Sequence, residues 1–191
     1  GRLEKEEWNG ADRESAMVIE QNVGGDSPGD RSWAWIRYDD KYLYVAVENG
    51  PNPFREGMPE SQRKLSRLFN ELAVEGIYGP ATWWWQQNVD TGPVYILWGY
   101  SDGRFEVKNN FGMALKTVKN IEESIEYRVS MIDGETGHWT AEWRIPFSSL
   151  NIREIPVSMG FNLGAPKRGG WIAWAPTGWL LDRAGKLVFD R

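Results

Sequence analysis

Apolar and polar residues alternate along most of this chain in short runs broken by Gly, Pro, Asn and Asp, which predicts β-strands. Residues 32–38 (SWAWIRY) are rich in aromatic and β-branched side chains, Asp39-Asp40-Lys41 is a polar turn, and residues 42–47 (YLYVAV) form a second strand. Together they predict an antiparallel hairpin. Residues 93–100 predict another strand, turned by Ser101-Asp102-Gly103 into residues 104–107. Residues 125–131 alternate and stop at Asp133-Gly134. Residues 138–145 alternate again, with Trp139, Ala141, Trp143 and Ile145 on one face and Thr140, Glu142 and Arg144 on the other. Residues 159–163, 170–174 and 186–189 complete the set. Strands at this spacing, with Gly and Pro between them, argue for an all-β sandwich or barrel, and the expected fold is an antiparallel β-sandwich of immunoglobulin or jelly-roll type.

One stretch departs from period two. Within residues 59–75, Leu65, Leu68, Phe69, Leu72 and Ala73 stand at helical spacing, with Gly76 placed to cap a helix. The expectation is a short helical segment near 59–71 and a strand from about Leu72 to Tyr78. No internal repeat, low-complexity tract or linker interrupts the 191 residues, so residues 1–191 read as one domain. The net charge is -5 and no basic stripe gathers Lys and Arg, which argues against nucleic acid as a partner. No apolar run approaches the roughly 20 residues that span a bilayer, so no membrane partner is expected. The chain starts at Gly1 and reads as a mature or excised piece of something longer, of secreted bacterial type, extracellular or in the cell envelope.

Two counts narrow the chemistry. There is no cysteine, which removes disulfides, thiolate nucleophiles and Cys-ligated metals. There is one histidine, His138, so a site needing two His ligands is impossible. No Gly-x-Ser-x-Gly elbow, phosphate loop or His-Glu-x-x-His pattern occurs. Glu142, between Trp139 and Trp143, is the tempting glycosidase carboxylate. On an alternating strand it reads more readily as a structural or solvent-face group. His138, beside a turn, reads as structural or solvated. The expectation is that the domain is not an enzyme.

The anomaly is 12 tryptophans. A buried aromatic ring removes about 150–250 Å² from water, worth roughly 4–6 kcal/mol as an upper estimate. A core of this size does not need every one. Trp33, Trp35, Trp139 and Trp143 sit in alternating strands and read as structural. In Trp83-Trp84-Trp85, Trp83 and Trp85 face one way and Trp84 the other if the segment is extended, so they cannot all be core. Gln86, Gln87 and Asn88 follow and are good hydroxyl partners. Trp179 has a loop-like context in Thr177-Gly178-Trp179. A sugar ring offers C–H groups on a face and hydroxyls at its rim, so aromatic faces with polar neighbours point to carbohydrate. The competing reading for each ring is core or second-layer packing.

Several blocks are similar to carbohydrate-binding module family 9 and related carbohydrate-binding-like β-sandwich domains. The hairpin Tyr38-Asp39-Asp40-Lys41-Tyr42-Leu43-Tyr44-Val45-Ala46-Val47 resembles theirs, as does Glu142-Trp143-Arg144-Ile145-Pro146-Phe147-Ser148-Ser149-Leu150. Met159-Gly160-Phe161-Asn162-Leu163 resembles the family's Gly-Phe-Asn strand, and Trp174-Ala175-Pro176, Trp179 and Gly185-Lys186-Leu187 its closing block. Trp8 after an acidic opening is similar to the usual start. The resemblance implies a non-catalytic sugar-binding sandwich, often for a glycan end, with two aromatic rings enclosing the sugar. It places Trp179 at one aromatic position, Phe69 at the other, and Glu75 at the hydroxyl-bonding glutamate six residues on. Phe69 departs from the family's Trp. Where the family's next strand offers polar contacts, this chain has Tyr95, Ile96, Leu97 and Trp98 and no arginine. Family members often carry structural calcium; no ligand cluster here is dense enough to assign one, so no cofactor is named and calcium stays open.

The resulting expectation is a carbohydrate-binding module of a larger secreted enzyme, tethered to its catalytic domain. It would hold a mono- or oligosaccharide through Trp179, Phe69, Glu75, Trp98, Trp83, Trp85 and Gln87. A shallow site predicts roughly millimolar to micromolar binding. One alternative is a structural or protein-interaction sandwich that has lost its sugar site. A distant one is a haem-binding electron-transfer sandwich.

Overall fold

The alternation is realised as two antiparallel sheets packed face to face. The computed structural model describes residues 3, 8, 12–27, 29, 31–52, 57–65, 68–75, 94–108, 115–167, 170–176 and 185–190. In chain order the strands are β1 (Met17–Ile19), β2 (Ser32–Tyr38), β3 (Tyr42–Asn49), β4 (Phe69–Glu75), β5 (Val94–Tyr100), β6 (Phe105–Lys108), β7 (Glu126–Asp133), β8 (His138–Pro146), β9 (Ser158–Lys167), β10 (Gly170–Ala173) and β11 (Gly185–Val188). The first sheet has the order β1-β2-β3-β8-β7. The second has the order β10-β9-β4-β5-β6, with β11 also paired to β9. Helix α1 (Glu60–Leu65) precedes β4, and α2 (Leu115–Ser124) packs against β6 and a 3-10 turn at Phe147–Leu150.

The first hairpin closes because Asp39 accepts hydrogen bonds from the backbone N–H groups of Lys41 and Tyr42, at 2.7 and 2.8 Å. Such a side-chain-capped turn sets the register from Tyr38–Leu43 to Ser32–Asn49. The inward residues then follow from period two. Ala34, Leu43, Val45, Val47, Trp143 and Ile145 of the first sheet meet Leu72, Val74, Tyr95, Leu97, Phe161 and Leu163 of the second. Trp139, Ala141, Trp143 and Ile145 do share the inward face. Trp143 lies across the interior against Gly99 of β5, where a side chain would collide with it and with Tyr127. At one end, Asn49 and Asn70 exchange amide hydrogen bonds of 2.7 and 2.9 Å, tying β3 to β4 where both side chains are buried. Ser32 donates to Asn49 Oδ1 at 3.2 Å.

Two local expectations are corrected. The helical segment does not extend over 59–71: it ends at Leu65, and the strand begins at Phe69 rather than near Leu72. β4 is an interior strand, paired with β5 on one edge and β9 on the other. Leu72 and Val74 are buried on one face and Ala73 on the other. An apolar run covered on both faces loses the clean alternation that separates a strand from a helix. Helix α2 was not anticipated, because Lys116, Lys119, Asn120, Glu122 and Glu123 hide a sparse apolar stripe of Val118 and Ile121 that reaches the core.

Candidate functional site

Leu72 and Val74 point into the sandwich, so Phe69, Glu71 and Ala73 stand on the opposite, outer face of β4. By the same parity Val94, Ile96, Trp98 and Tyr100 are the outer residues of β5. The register sets Phe69 opposite Tyr100, Glu71 opposite Trp98 and Glu75 opposite Val94. On the far side of β4, Glu71 faces Gly164 of β9. Trp171 of β10 lies over Gly164: a Cβ there would fall 2.5 Å from its Cζ2 atom. Glycine at 164 therefore lets the indole lie flat on the sheet. The result is an aromatic wall. Phe69 stacks on Trp98 with ring centroids 4.6 Å apart, and lies 5.8 Å from Tyr100 and 6.0 Å from Trp171.

A carboxylate is embedded in this wall. Trp98 Nε1 donates to Glu71 Oε2 at 2.5 Å. Burial pushes the Glu71 carboxyl above its ordinary range, against the opposing pull of the Trp98 hydrogen bond and the Lys108 ammonium. Lys108 reaches over from β6, its Nζ 3.8 Å from the Trp98 ring centroid, and is paired with Glu106. Trp98 thus receives Phe69 from one neighbouring strand and Lys108 from the other. Trp171 Nε1 is buried and has no hydrogen-bond acceptor among the described residues. The arrangement offers ring faces, a half-buried acceptor and an indole donor close together. That combination suits recognition of a polar molecule with flat apolar faces, and it lacks a paired nucleophile and base.

Of the residues expected from sequence, Phe69 and Trp98 are brought into direct contact. Glu75 stands at the other end of β4 from Phe69, six residues on and roughly 20 Å along the strand. Trp83, Trp85, Gln87 and Trp179 lie outside the described residues. Glu71 and Trp171 were missed. Glu71 has the parity of Phe69, a signal present in the sequence once the segment is read as a strand. Its meeting with Trp98 depends on cross-strand register and is not legible locally. Among the described residues, no group of three or more His, Asp or Glu could hold a metal ion.

Two solved structures share this architecture. One is a carbohydrate-binding module of family 9 from Caldicellulosiruptor kristjanssonii, in complex with glucose. It aligns over 100% of this chain and 89% of that one, with a TM-score of 0.60 and 13% identity. The fold is that of a family 9 carbohydrate-binding module. A candidate carbohydrate-binding protein from Bacteroides uniformis aligns over 92% of this chain and 86% of its own, with a TM-score of 0.52 and 11% identity. No family model and no curated protein matches the sequence.

The family 9 fold leaves the first sheet with an outer face of different character. Trp33 and Trp35 point outward here, away from the main core. Trp35 is buried with Trp8 and Ala46 in a separate cluster, and the Arg13 guanidinium lies 3.9 Å from the Trp33 ring centroid. Glu142 accepts the Trp8 indole N–H at 2.9 Å, so this carboxylate pins the N-terminal segment to β8. His138 Nε2 lies 3.1 Å from Glu48 Oε1, which Arg13 also approaches at 2.6 Å. Burial resists ionisation of Glu48, but hydrogen bonds from Arg13 and His138 outweigh it and hold the carboxyl below its usual range.

Proposed function

We propose that this domain is a non-catalytic carbohydrate-binding module, taking a mono- or oligosaccharide on the outer face of the second sheet. The observation that carries the reading is the outward cluster of Phe69, Trp98 and Trp171 around the half-buried Glu71. The glucose-bound family 9 neighbour supports it through the shared fold. A sugar held between two rings needs a contact of about 3.5–4.0 Å on each side, so roughly 7–8 Å between ring planes. Phe69 and Trp98 are 4.6 Å apart and form one wall rather than two jaws. In this reading Trp179 supplies the facing ring, with Trp83, Trp85 and Gln87 as further contacts and Glu75 serving a longer ligand. The domain would belong to a secreted carbohydrate-active enzyme and bring it to its substrate.

Calorimetric titration of mono- and oligosaccharides against wild type, Trp171→Ala and Trp179→Ala tests this. The expected result is millimolar to micromolar binding in wild type and at least a tenfold loss, about 1.4 kcal/mol, in each variant. Equal affinity in all three sinks the placement of the site.

A second reading is a protein-interaction sandwich that no longer takes sugar. Its support is that Trp98 is already engaged by Phe69 and Lys108, so the wall partly satisfies itself. A broad glycan array without a binder, together with a stable complex with a neighbouring domain, would favour it.

A further inference from the structure

A groove of about 560 Å³ runs along β2 of the first sheet, lined among the described residues by Trp8, Arg37 and Tyr44 on the outer side and by Ile36 and Tyr38, whose parity faces the core side. That volume falls within the roughly 300–1,000 Å³ of small-ligand sites. A smaller groove of about 140 Å³ shares Trp8 and Tyr44 with it and continues toward Glu126, Glu142 and Arg144. The walls are held in place. Glu142 fixes the Trp8 indole, the Tyr44 hydroxyl donates to Asp39 Oδ2 at 2.8 Å, and Arg144 lies 3.8 Å from the Tyr42 ring centroid while pairing with Glu126 at 2.6 Å. Such a preformed surface orders little on binding.

One end of the groove reaches the edge of the sheet. β1 pairs only with Ser32, Trp33 and Ala34 of β2. No strand among the described residues pairs the same edge of Trp35 to Tyr38. Tyr38 is among the exposed large side chains of the domain.

We propose that this groove is a second glycan-binding site, taking a neutral oligosaccharide segment along the β2 side of the first sheet, away from the first site. Among the described residues, Arg37, Arg128 and Arg144 are balanced by Asp39, Glu126 and Glu142 across the two grooves and the adjoining turn. A balanced set of guanidinium and carboxylate groups offers donors and acceptors to vicinal hydroxyls without a net field that would select an anion. The ring edges of Tyr38 and Tyr44 supply the apolar contact. Two separate sites let one domain engage two chains, or two stretches of one chain, with a gain from effective concentration.

The test is titration and amide chemical-shift mapping of the full domain with glucan, xylan, mannan and galactan oligosaccharides, their uronate counterparts, and a random extended peptide pool. The expected result is two sugar molecules per domain, with shifts at Arg37, Tyr38 and Tyr44 as one of two clusters. Arg37→Ala and Tyr44→Ala should each reduce the stoichiometry to one, with far-ultraviolet circular dichroism unchanged. Groove shifts that persist in Trp171→Ala while the second-sheet shifts are lost uphold both sites, and a second sheet silent in wild type with the groove responding refutes the first site alone. A groove silent to every glycan while Trp171→Ala abolishes binding elsewhere overturns this proposal alone. A groove that answers only to uronates or to peptide also overturns it, and the shift map of wild type decides the matter even if a variant misfolds.

Discussion

Gly99→Ala places a single methyl between the two sheets, against Trp143 and Tyr127. Gly99 is in β5, and its φ is not among the positive values, so alanine meets no backbone strain. The obstacle is space. The added Cβ would lie 2.7 Å from Cε2 and Cζ of Tyr127, and closer still to Cζ2 of Trp143. Carbon atoms rest at about 3.5–4.0 Å, so the shortfall is about 1 Å against two rings at once. Neither ring has an easy escape. The Tyr127 hydroxyl donates to the Tyr100 carbonyl at 2.9 Å, the two rings lie 4.2 Å apart, and Trp143 is 1% exposed. Overpacking costs about 1–3 kcal/mol, and two pinned rings place this case at about 2–3 kcal/mol. For a domain of this size that lowers Tm by roughly 4–12 °C. Urea denaturation followed by near-ultraviolet circular dichroism reads it. Trp143→Phe supplies the control: it opens space, and it removes an indole N–H that is buried without an acceptor among the described residues. In the Trp143→Phe background the cost of Gly99→Ala should fall by at least about 1 kcal/mol. A Gly99→Ala cost below about 0.5 kcal/mol, or strict additivity of the pair, would refute this account of the interface.

Other expectations concern charge and polarity. Glu71 has a raised pKa, so its protonated form is favoured by folding; stability should fall as pH rises from about 4.3 toward the raised value and then level off. Glu71→Gln keeps an acceptor for Trp98, and pH-dependent melts of the variant should lose that slope. Glu48 is shifted the other way, so its contribution is present above about 4.3 and is lost as pH falls through its lowered pKa. Glu48→Gln should flatten the acid limb of the same melts, and an unchanged limb would show that Arg13 and His138 do not act through this carboxylate. Asn70→Ala strands the buried amide of Asn49 and should cost about 1–3 kcal/mol in urea denaturation, whereas an exposed polar truncation costs under about 0.5 kcal/mol.

What the sequence determined by itself was set by local physics. The turn chemistry of Asp39-Asp40-Lys41 and the alternation on either side specify the first hairpin without reference to the rest of the chain. The period-two run at 138–145 fixes which of Trp139, Thr140, Ala141 and Glu142 face inward, because adjacent side chains of a strand must take opposite faces. Tertiary structure decided what depends on distant partners. Phe69 to Glu75 are a strand because β5 and β9 complete their hydrogen bonds on both edges, overriding a spacing that also suits a helix. Trp33 and Trp35 alternate as a core pair might, yet the alternate residues Ala34 and Ile36 face the second sheet, and the two tryptophans instead meet Arg13 and Trp8. Glu71 becomes the carboxylate in the aromatic wall, and Glu75 does not, because register pairs Glu71 with Trp98 and leaves Gly164 open beneath Trp171. Parity is a property of one strand, while register and coverage belong to several, and the candidate site is built from the second kind of information.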